Sequence, residues 1–204
     1  MSGPDPVEAA PDLETIQPYQ PMGELIIVQP GGEYAVDYER RLDLPTATAT
    51  TAFGINGVRH RRDCFASVPD HVLVLRLTAD RPGAITCGIR IEREPDPDCR
   101  LDLWRSEAVL GLDGTFVEGA EFAIRAQVLN VGGEVILSGT ADALVRQADE
   151  VIVCIAMAVA ADRDDPPPAD ACDAVLTQLP RNFESLKSRH LDEWQPRWNR
   201  CVLD

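Results

Sequence analysis

Short segments in which apolar and polar residues alternate fill most of the chain between residues 23 and 161. Ile85, Cys87, Ile89 and Ile91 alternate with polar residues or glycine, and residues 122–128 show the same period of two. Because successive side chains on a strand point to opposite faces of a sheet, such segments predict half-buried strands. We expect the same half-burial in a third segment, with its inward row formed by Val36, Tyr38, Leu42 and Leu44.

Two further segments, residues 71–77 and 151–159, are apolar on both faces over most of their length. This pattern is typical of central strands that are covered on both sides, so a second layer must exist. Dipeptides and tripeptides that favour turns separate the strand segments. They are Asn56-Gly57, Pro69-Asp70, Arg81-Pro82-Gly83, Asp113-Gly114 and Gly132-Gly133.

The pattern therefore predicts a mainly β fold, a large antiparallel β-sandwich of the super-sandwich type with about ten to twelve strands. Residues 1–22 are rich in proline and acidic residues and predict an irregular arm before a sandwich at residues 23–161. Residues 162–204 change to a linker with one or two helices. Asn182 can cap a tail helix, and Pro196 would stop or kink it.

The tail helix is amphipathic, with one apolar stripe that must rest on the sandwich or on a following domain. We take the stripe and a nearby tryptophan as candidates for a domain interface: Phe183, Leu186, His190, Trp194 and Trp198. Trp104 lies outside this helix and near the irregular residues 95–98. It is a candidate for sugar contact, although packing in the core or at a sheet edge explains it more simply.

The charge of the chain limits its partners. A length of 204 residues fits one domain, and a formal net charge of −15 opposes binding to nucleic acids and to anionic lipids. Neutral ligands such as sugars are not disfavoured. The first residues lack a secretion signal, and the longest apolar run is too short to span a bilayer. We therefore expect no membrane partner and favour a cytoplasmic location.

The sequence offers no recognisable catalytic centre or cofactor site. The six cysteines form no CxxC pair, so we interpret them as reduced core residues rather than as a disulfide framework or a zinc site. His60 and Cys64 fall on the same strand face, but a catalytic pair would need a third, orienting group. No GxSxG or phosphate-binding loop is present, and acidic residues are too numerous for a pair to be chosen.

The order of several phrases along the chain resembles glycoside hydrolase family 95, the α-L-fucosidases. Residues 19–25 (YQPMGEL) and 38–44 (YERRLDL) resemble the phrases that open the family's β-sandwich. Gly57-Val58, Phe65-Ala66-Ser67 and Arg81-Pro82-Gly83 follow in the family's order. The tail continues the likeness with Phe183, Leu186, His190, Trp194, Arg200 and Leu203.

This resemblance implies an N-terminal accessory sandwich that supports a catalytic (α/α)6 barrel, towards which residues 162–204 would lead. The barrel holds the family's catalytic acid and is absent from this chain, so no catalytic residue is transferred and no cofactor is implied. The expected partners are that barrel and fucosylated glycans. A freestanding carbohydrate-binding module and a truncated gene product remain alternatives.

Overall fold

The structure is a computed structural model that describes residues 20–161 and 164–200. Within these residues it contains twelve strands, a short 3-10 helix (Gly32–Tyr34) and two α-helices. The strands are β1 (Glu24–Val28), β2 (Val36–Asp43), β3 (Thr48–Ile55), β4 (Val58–Ser67), β5 (Val72–Ala79), β6 (Ile85–Glu92), β7 (Cys99–Ser106), β8 (Val109–Phe116), β9 (Glu121–Val131), β10 (Glu134–Ser138), β11 (Asp142–Ala148) and β12 (Glu150–Ala160). The helices are α1 (Pro168–Thr177) and α2 (Phe183–Trp198).

The strands form two antiparallel sheets of different width. The large sheet has the order β2-β3-β4-β5-β12-β9-β8-β7, and the small sheet has the order β1-β6-β11-β10. The predicted mainly β sandwich is confirmed. The two segments that are apolar on both faces, β5 and β12, are neighbours in the middle of the large sheet.

Both faces of the central strands are covered, as their composition predicted. One apolar cluster lies between the two sheets and includes Ile85, Val145 and Val153. A second cluster lies on the other face of the large sheet, where Leu176 of α1 and Leu186 of α2 join residues of β4, β5, β9 and β12. The sandwich is therefore a three-layer unit, with the helices as the third layer.

Most of the predicted turns are found where the sequence placed them. Asn56 and Gly57, with φ of 52° and 73°, form a two-residue hairpin loop between β3 and β4. Positive φ at both central residues is what a type I′ turn requires, which explains the Asn-Gly pair. Gly132 and Gly133, with φ of 65° and 61°, carry the chain from the large sheet into the small one.

The predicted turn at Asp113-Gly114 is wrong, because both residues lie inside β8. A Cβ at position 114 would lie 2.1 Å from the ring of Phe122, on the neighbouring strand β9. This glycine therefore makes room for an aromatic ring rather than for a change of chain direction. The turn before β8 lies instead at Glu107, where φ is 49°.

The predicted burial of β2 is also wrong. Val36, Tyr38, Leu42 and Leu44 keep 59%, 59%, 62% and 51% of their surface exposed. The strand is the edge of the eight-stranded sheet, and its register shifts between Val36 and Glu39, so Val36 lies on the opposite face from Leu42. Alternation marks which side chains share a face only where the register is regular, and burial requires a second layer above that face.

The tail helix forms as predicted at its start, and it continues past the proline that was expected to stop or kink it. The side chain of Asn182 accepts a hydrogen bond from the backbone N–H of Ser185 at 2.9 Å, which is an N-cap contact. Pro196 does not stop the helix, since α2 continues to Trp198. Proline lacks the N–H that would donate to the carbonyl four residues earlier, and that carbonyl belongs to the exposed Asp192.

Candidate functional site

The apolar stripe of α2 rests on the large sheet. Phe183, Leu186 and His190 are 7%, 0% and 2% exposed. Phe65 of β4 meets Phe183 edge to face at a centroid distance of 5.7 Å and stacks on His190 at 4.5 Å. Nε2 of His190 lies 2.9 Å from the carbonyl oxygen of Thr46, so this nitrogen carries the proton that is donated. These three side chains fix the helix to the sandwich.

The two tryptophans of α2 remain nearer the solvent. Trp194 is half-buried, and its indole N–H donates to the carbonyl oxygen of Leu44 at 2.9 Å. Trp198 lies one turn farther along and is 39% exposed. As contacts with another domain, all five candidates of the tail helix stay a prediction.

Several apolar residues at this helix end and along the β2 edge of the large sheet are exposed or half-buried. We call Val36, Tyr38, Leu42, Leu44, Trp194 and Trp198 the edge surface. The hydrogen bond between Trp194 and Leu44 joins its helical and its strand parts. Exposed apolar side chains at one sheet edge offer area that another protein unit can cover.

A polar groove of about 720 Å³ lies on the helix-covered face of the large sheet, between the edge strands β2–β4 and helix α2. We call it the outer groove. Its charged side chains come from alternate positions on neighbouring strands and from the first turns of the helix. Those with the most exposed positions are Glu39, Arg41, Arg59, Arg61 and Glu184.

A hydrogen-bonded network forms the floor of the outer groove. Arg61 donates from Nε and Nη2 to the two carboxylate oxygens of Asp63, at 2.8 and 2.7 Å, and Thr50 donates to Asp63 at 2.7 Å. Burial alone would raise the pKa of the Asp63 carboxyl, but the hydrogen bonds from Arg61 and Thr50 hold the pKa below its usual value. The carboxylate is therefore ionised and held in one orientation.

Lys187 of α2 closes one side of the groove. Its ammonium donates to the hydroxyl of Thr48 and lies 4.7 Å from the ring centre of Phe65. Burial lowers the pKa of this amine, while the charges of Asp63 and Asp43 act in the opposite direction. The contact links helix α2 to the first residue of β3.

The charges that line the outer groove nearly cancel. Five cations face four carboxylates, namely Arg41, Arg59, Arg61, Arg76 and Lys187 against Glu39, Asp43, Asp63 and Glu184. This local balance differs from the net charge of −15 on the whole chain. The groove is therefore a near-neutral polar region on an acidic protein.

Trp104 packs on the helix-covered face of the large sheet, at the β7 edge, which is opposite the edge that carries the outer groove. Its ring covers Gly111, where a Cβ would lie 2.3 Å from the indole, and its N–H donates to Asp113 at 2.7 Å. The guanidinium of Arg125, which is 2% exposed, lies 4.5 Å from the indole centre and bridges Asp113 and Asp173. Sugar contact by Trp104 stays a prediction.

His60 and Cys64 show no sign of a catalytic pair. The ring of His60 contacts the side-chain amide of Gln29 at 3.0 Å, and burial lowers its pKa. Burial raises the pKa of the Cys64 thiol, which disfavours the reactive thiolate.

The cysteines within the described residues are free thiols, and Cys201 lies outside them. Burial raises the pKa of Cys87 and Cys172 to about 11 and that of Cys154 to about 12. Across residues 20–161 and 164–200, the side chains form no group of three or more potential metal ligands. No helix in these same ranges is long and apolar enough to cross a membrane.

Sequence reasoning missed the outer groove, although part of its signal is present. Residues 39, 41 and 43 of β2 and residues 59, 61 and 63 of β4 are charged at every second position. This parity places each set on one face of its strand. The register of β2 and β4 on either side of β3 and the position of α2 are long-range features that bring the two sets together.

Comparison with known proteins establishes the family. Residues 7–164 match the profile of the N-terminal domain of glycosyl hydrolase family 65. The chain belongs to this family of N-terminal domains. The predicted resemblance to the N-terminal sandwich of a glycoside hydrolase is thus confirmed at that level.

Two proteins to which the chain is similar are larger than it. The chain is 26% identical over 198 residues to alpha-L-fucosidase 2 of Arabidopsis thaliana, with 81% of this chain and 23% of that protein covered. A solved structure, a putative kojibiose phosphorylase from human microbiome, is similar with a TM-score of 0.48 and 13% identity, over 78% of this chain and 23% of the other. The chain therefore spans less than a quarter of the length of either protein.

Proposed function

We propose that this chain is the accessory β-sandwich domain of an α-L-fucosidase-like glycoside hydrolase of family 95 type, and that it packs against and supports a catalytic (α/α)6 barrel. The observation that carries the proposal is the match of residues 7–164 to an N-terminal domain of glycosyl hydrolases. The similarity to a plant alpha-L-fucosidase supports the choice of the fucosidase class. The catalytic partner lies outside this chain.

The edge surface supports the proposed contact with a barrel. Leu42 and Leu44 are more than half exposed, and Trp198 keeps 39% of its surface accessible at the end of α2. Covering such side chains removes apolar area from water, which stabilises an interface. The location at the end of the tail helix fits a partner that follows the helix in the parent enzyme.

The chemistry of the outer groove supports catalysis elsewhere. A glycosidase needs a carboxylic acid that can donate a proton, usually a group with a raised pKa. Asp63, the most buried carboxylate of the groove, instead has a lowered pKa because Arg61 and Thr50 donate to it. We expect this chain alone to be inactive.

Binding of this chain to the separately produced catalytic barrel of the parent enzyme tests the proposal. We expect Leu42→Ser with Trp198→Ser to weaken binding by at least about tenfold, since both remove apolar contact area. Val117→Ser is the matched control, because Val117 is 75% exposed in the loop between β8 and β9. Calorimetric titration measures the difference.

Two results would contradict the proposal. One is equal affinity of the wild type and the double variant for the barrel. The other is turnover of an aryl fucoside by this chain in the absence of any barrel, since that would place the reactive centre on the sandwich.

A freestanding carbohydrate-binding module is the second candidate function. The outer groove favours it, because a near-neutral polar groove of about 720 Å³ is large enough for a small ligand. The two functions are compatible if the groove and the edge surface serve different partners.

A further inference from the structure

We propose that the outer groove binds a neutral oligosaccharide, with Arg41 and Arg59 as its principal donors. The choice of a saccharide among neutral polyhydroxylated ligands rests on the proposed function in a glycoside hydrolase. The site itself rests on the geometry of strands β2–β4 and helix α2.

The floor of the groove is organised before any ligand arrives. Arg61 is held by both oxygens of Asp63 and by Thr50, whose hydroxyl lies 3.2 Å from its Nη2. Side chains that are already fixed lose little conformational entropy when a ligand binds. The groove therefore offers the guanidinium plane of Arg61 in a fixed position beside the exposed Arg41 and Arg59, which suits the paired hydroxyls of a sugar ring.

The groove also contains guanidinium N–H donors that make no hydrogen bond within the described residues. Within the described residues, Arg41 has no recorded hydrogen bond or ion pair, and Arg59 reaches Glu39 only at 3.7 Å. The hydrogen bonds recorded for Arg61 use Nε and Nη2 and leave Nη1 available. Guanidinium groups present several N–H donors in one plane, and they retain this capacity here.

Acceptors stand next to these donors. Glu39 and Glu184 have side chains that are 66% and 81% exposed, on opposite walls of the groove. A hydroxyl both donates and accepts, so a polyhydroxylated molecule can use both kinds of group. An anionic ligand would instead place its negative charge beside these carboxylates.

The charge balance selects against polyanions. With five cations and four carboxylates along its walls, the groove has little net charge to attract a polyanion. The surrounding chain, at −15, repels polyanions further. Neutral ligands experience neither effect, which makes a neutral saccharide the class that fits.

The test is titration of this chain with neutral oligosaccharides, followed by calorimetry and by amide chemical shifts. The probes are 2′-fucosyllactose, a fucosylated xyloglucan oligosaccharide and maltotriose, with a heparin-derived tetrasaccharide as the polyanionic comparison. We expect saturable binding of at least one neutral probe, with the largest shifts at β2, β4 and the start of α2, and none of the polyanion.

Variants locate the site. Arg41→Ala with Arg59→Ala should weaken binding by at least about tenfold, since charge-assisted hydrogen bonds are lost. Arg40→Ala is the matched control, because Arg40 is the exposed neighbour on β2 and lines a different cleft, on the opposite face of the sheet. All three side chains are exposed, so cooperative melting near the wild-type temperature should verify folding of each variant.

Several results would overturn the inference: no saturation by any neutral probe at millimolar concentration, preference for the polyanion, or equal binding by the double variant and the wild type. A loss of binding in Arg40→Ala alone would place the ligand on the opposite face. The barrel-binding experiment fails or succeeds separately, because its variants lie in the edge surface rather than in this groove.

Discussion

The centre and the β2 edge of the large sheet both contain apolar residues of the same kind, and their environments are opposite. In the centre, Val74 is fully buried beneath the helices, and Val153 is fully buried between the two sheets. At the edge, Val36 and Leu42 have the same apolar character and remain more than half exposed. The comparison shows that apolar side chains on a strand can be buried, but that they are buried only where another layer covers them.

The difference also indicates where the molecule can still gain contacts. Apolar area that is already buried contributes to the stability of this domain, whereas exposed apolar area is available to a partner. A substitution should therefore change folding in the centre and association at the edge.

The largest effect is expected from a pair of leucine truncations. Leu186→Ala removes a fully buried side chain between α2 and the sheet and should lower the free energy of unfolding by about 2–5 kcal/mol. Leu42→Ala, at 62% exposure, should change it by less than about 0.5 kcal/mol. Urea unfolding followed by circular dichroism measures both. Equal losses would remove the distinction between centre and edge.

A smaller change in stability is expected at two strand glycines, one of which faces an aromatic ring and the other open space. Gly114→Ala places a Cβ 2.1 Å from the ring of Phe122 and should destabilise the domain by about 1–3 kcal/mol through overpacking. Gly88→Ala, where a Cβ meets nothing within 4 Å, should be neutral or slightly stabilising. Thermal unfolding of the two variants compares them directly, and similar melting temperatures would argue against the packing of Phe122 described above.

The smallest effect concerns Asp63, which lies between the covered centre and the edge. Its pKa is lowered in the folded state, so it stabilises the fold above the unfolded pKa of about 3.9, and this contribution is lost as the pH falls through the folded value. We expect the wild type to lose more stability between pH 5 and pH 3 than Asp63→Asn does. Urea midpoints at several pH values give the slopes, and parallel slopes would mean that Asp63 is not linked to acid unfolding.

Much of the fold could be predicted from local pattern. The period of two in Ile85–Glu92 identified β6 and its buried face, and the two-sided apolar runs identified β5 and β12 as central. Asn56-Gly57 was readable because its turn type depends on two adjacent residues. Each of these features depends on a few neighbouring residues, so it can be predicted from the sequence.

The errors came from contacts between residues distant in the chain or across strands. Gly114 suggested a turn, but its small size serves Phe122 on the next strand. The exposure of β2 depends on where the small sheet ends, and the sequence of β2 does not indicate that position. For the candidate site, each charged row was readable, while the groove itself required the pairing of three strands and the docking of α2.

The connectivity of the small sheet has a consequence for folding. Strand β6 pairs with β1, about sixty residues earlier, and with β11, about fifty to sixty residues later, whereas β2, β3 and β4 each pair with the next strand in the chain. Closing long loops is slow compared with forming hairpins. We expect the β2–β5 meander to form early and the small sheet to be completed late, so that the face destined for the sheet interface stays accessible to chaperones during synthesis.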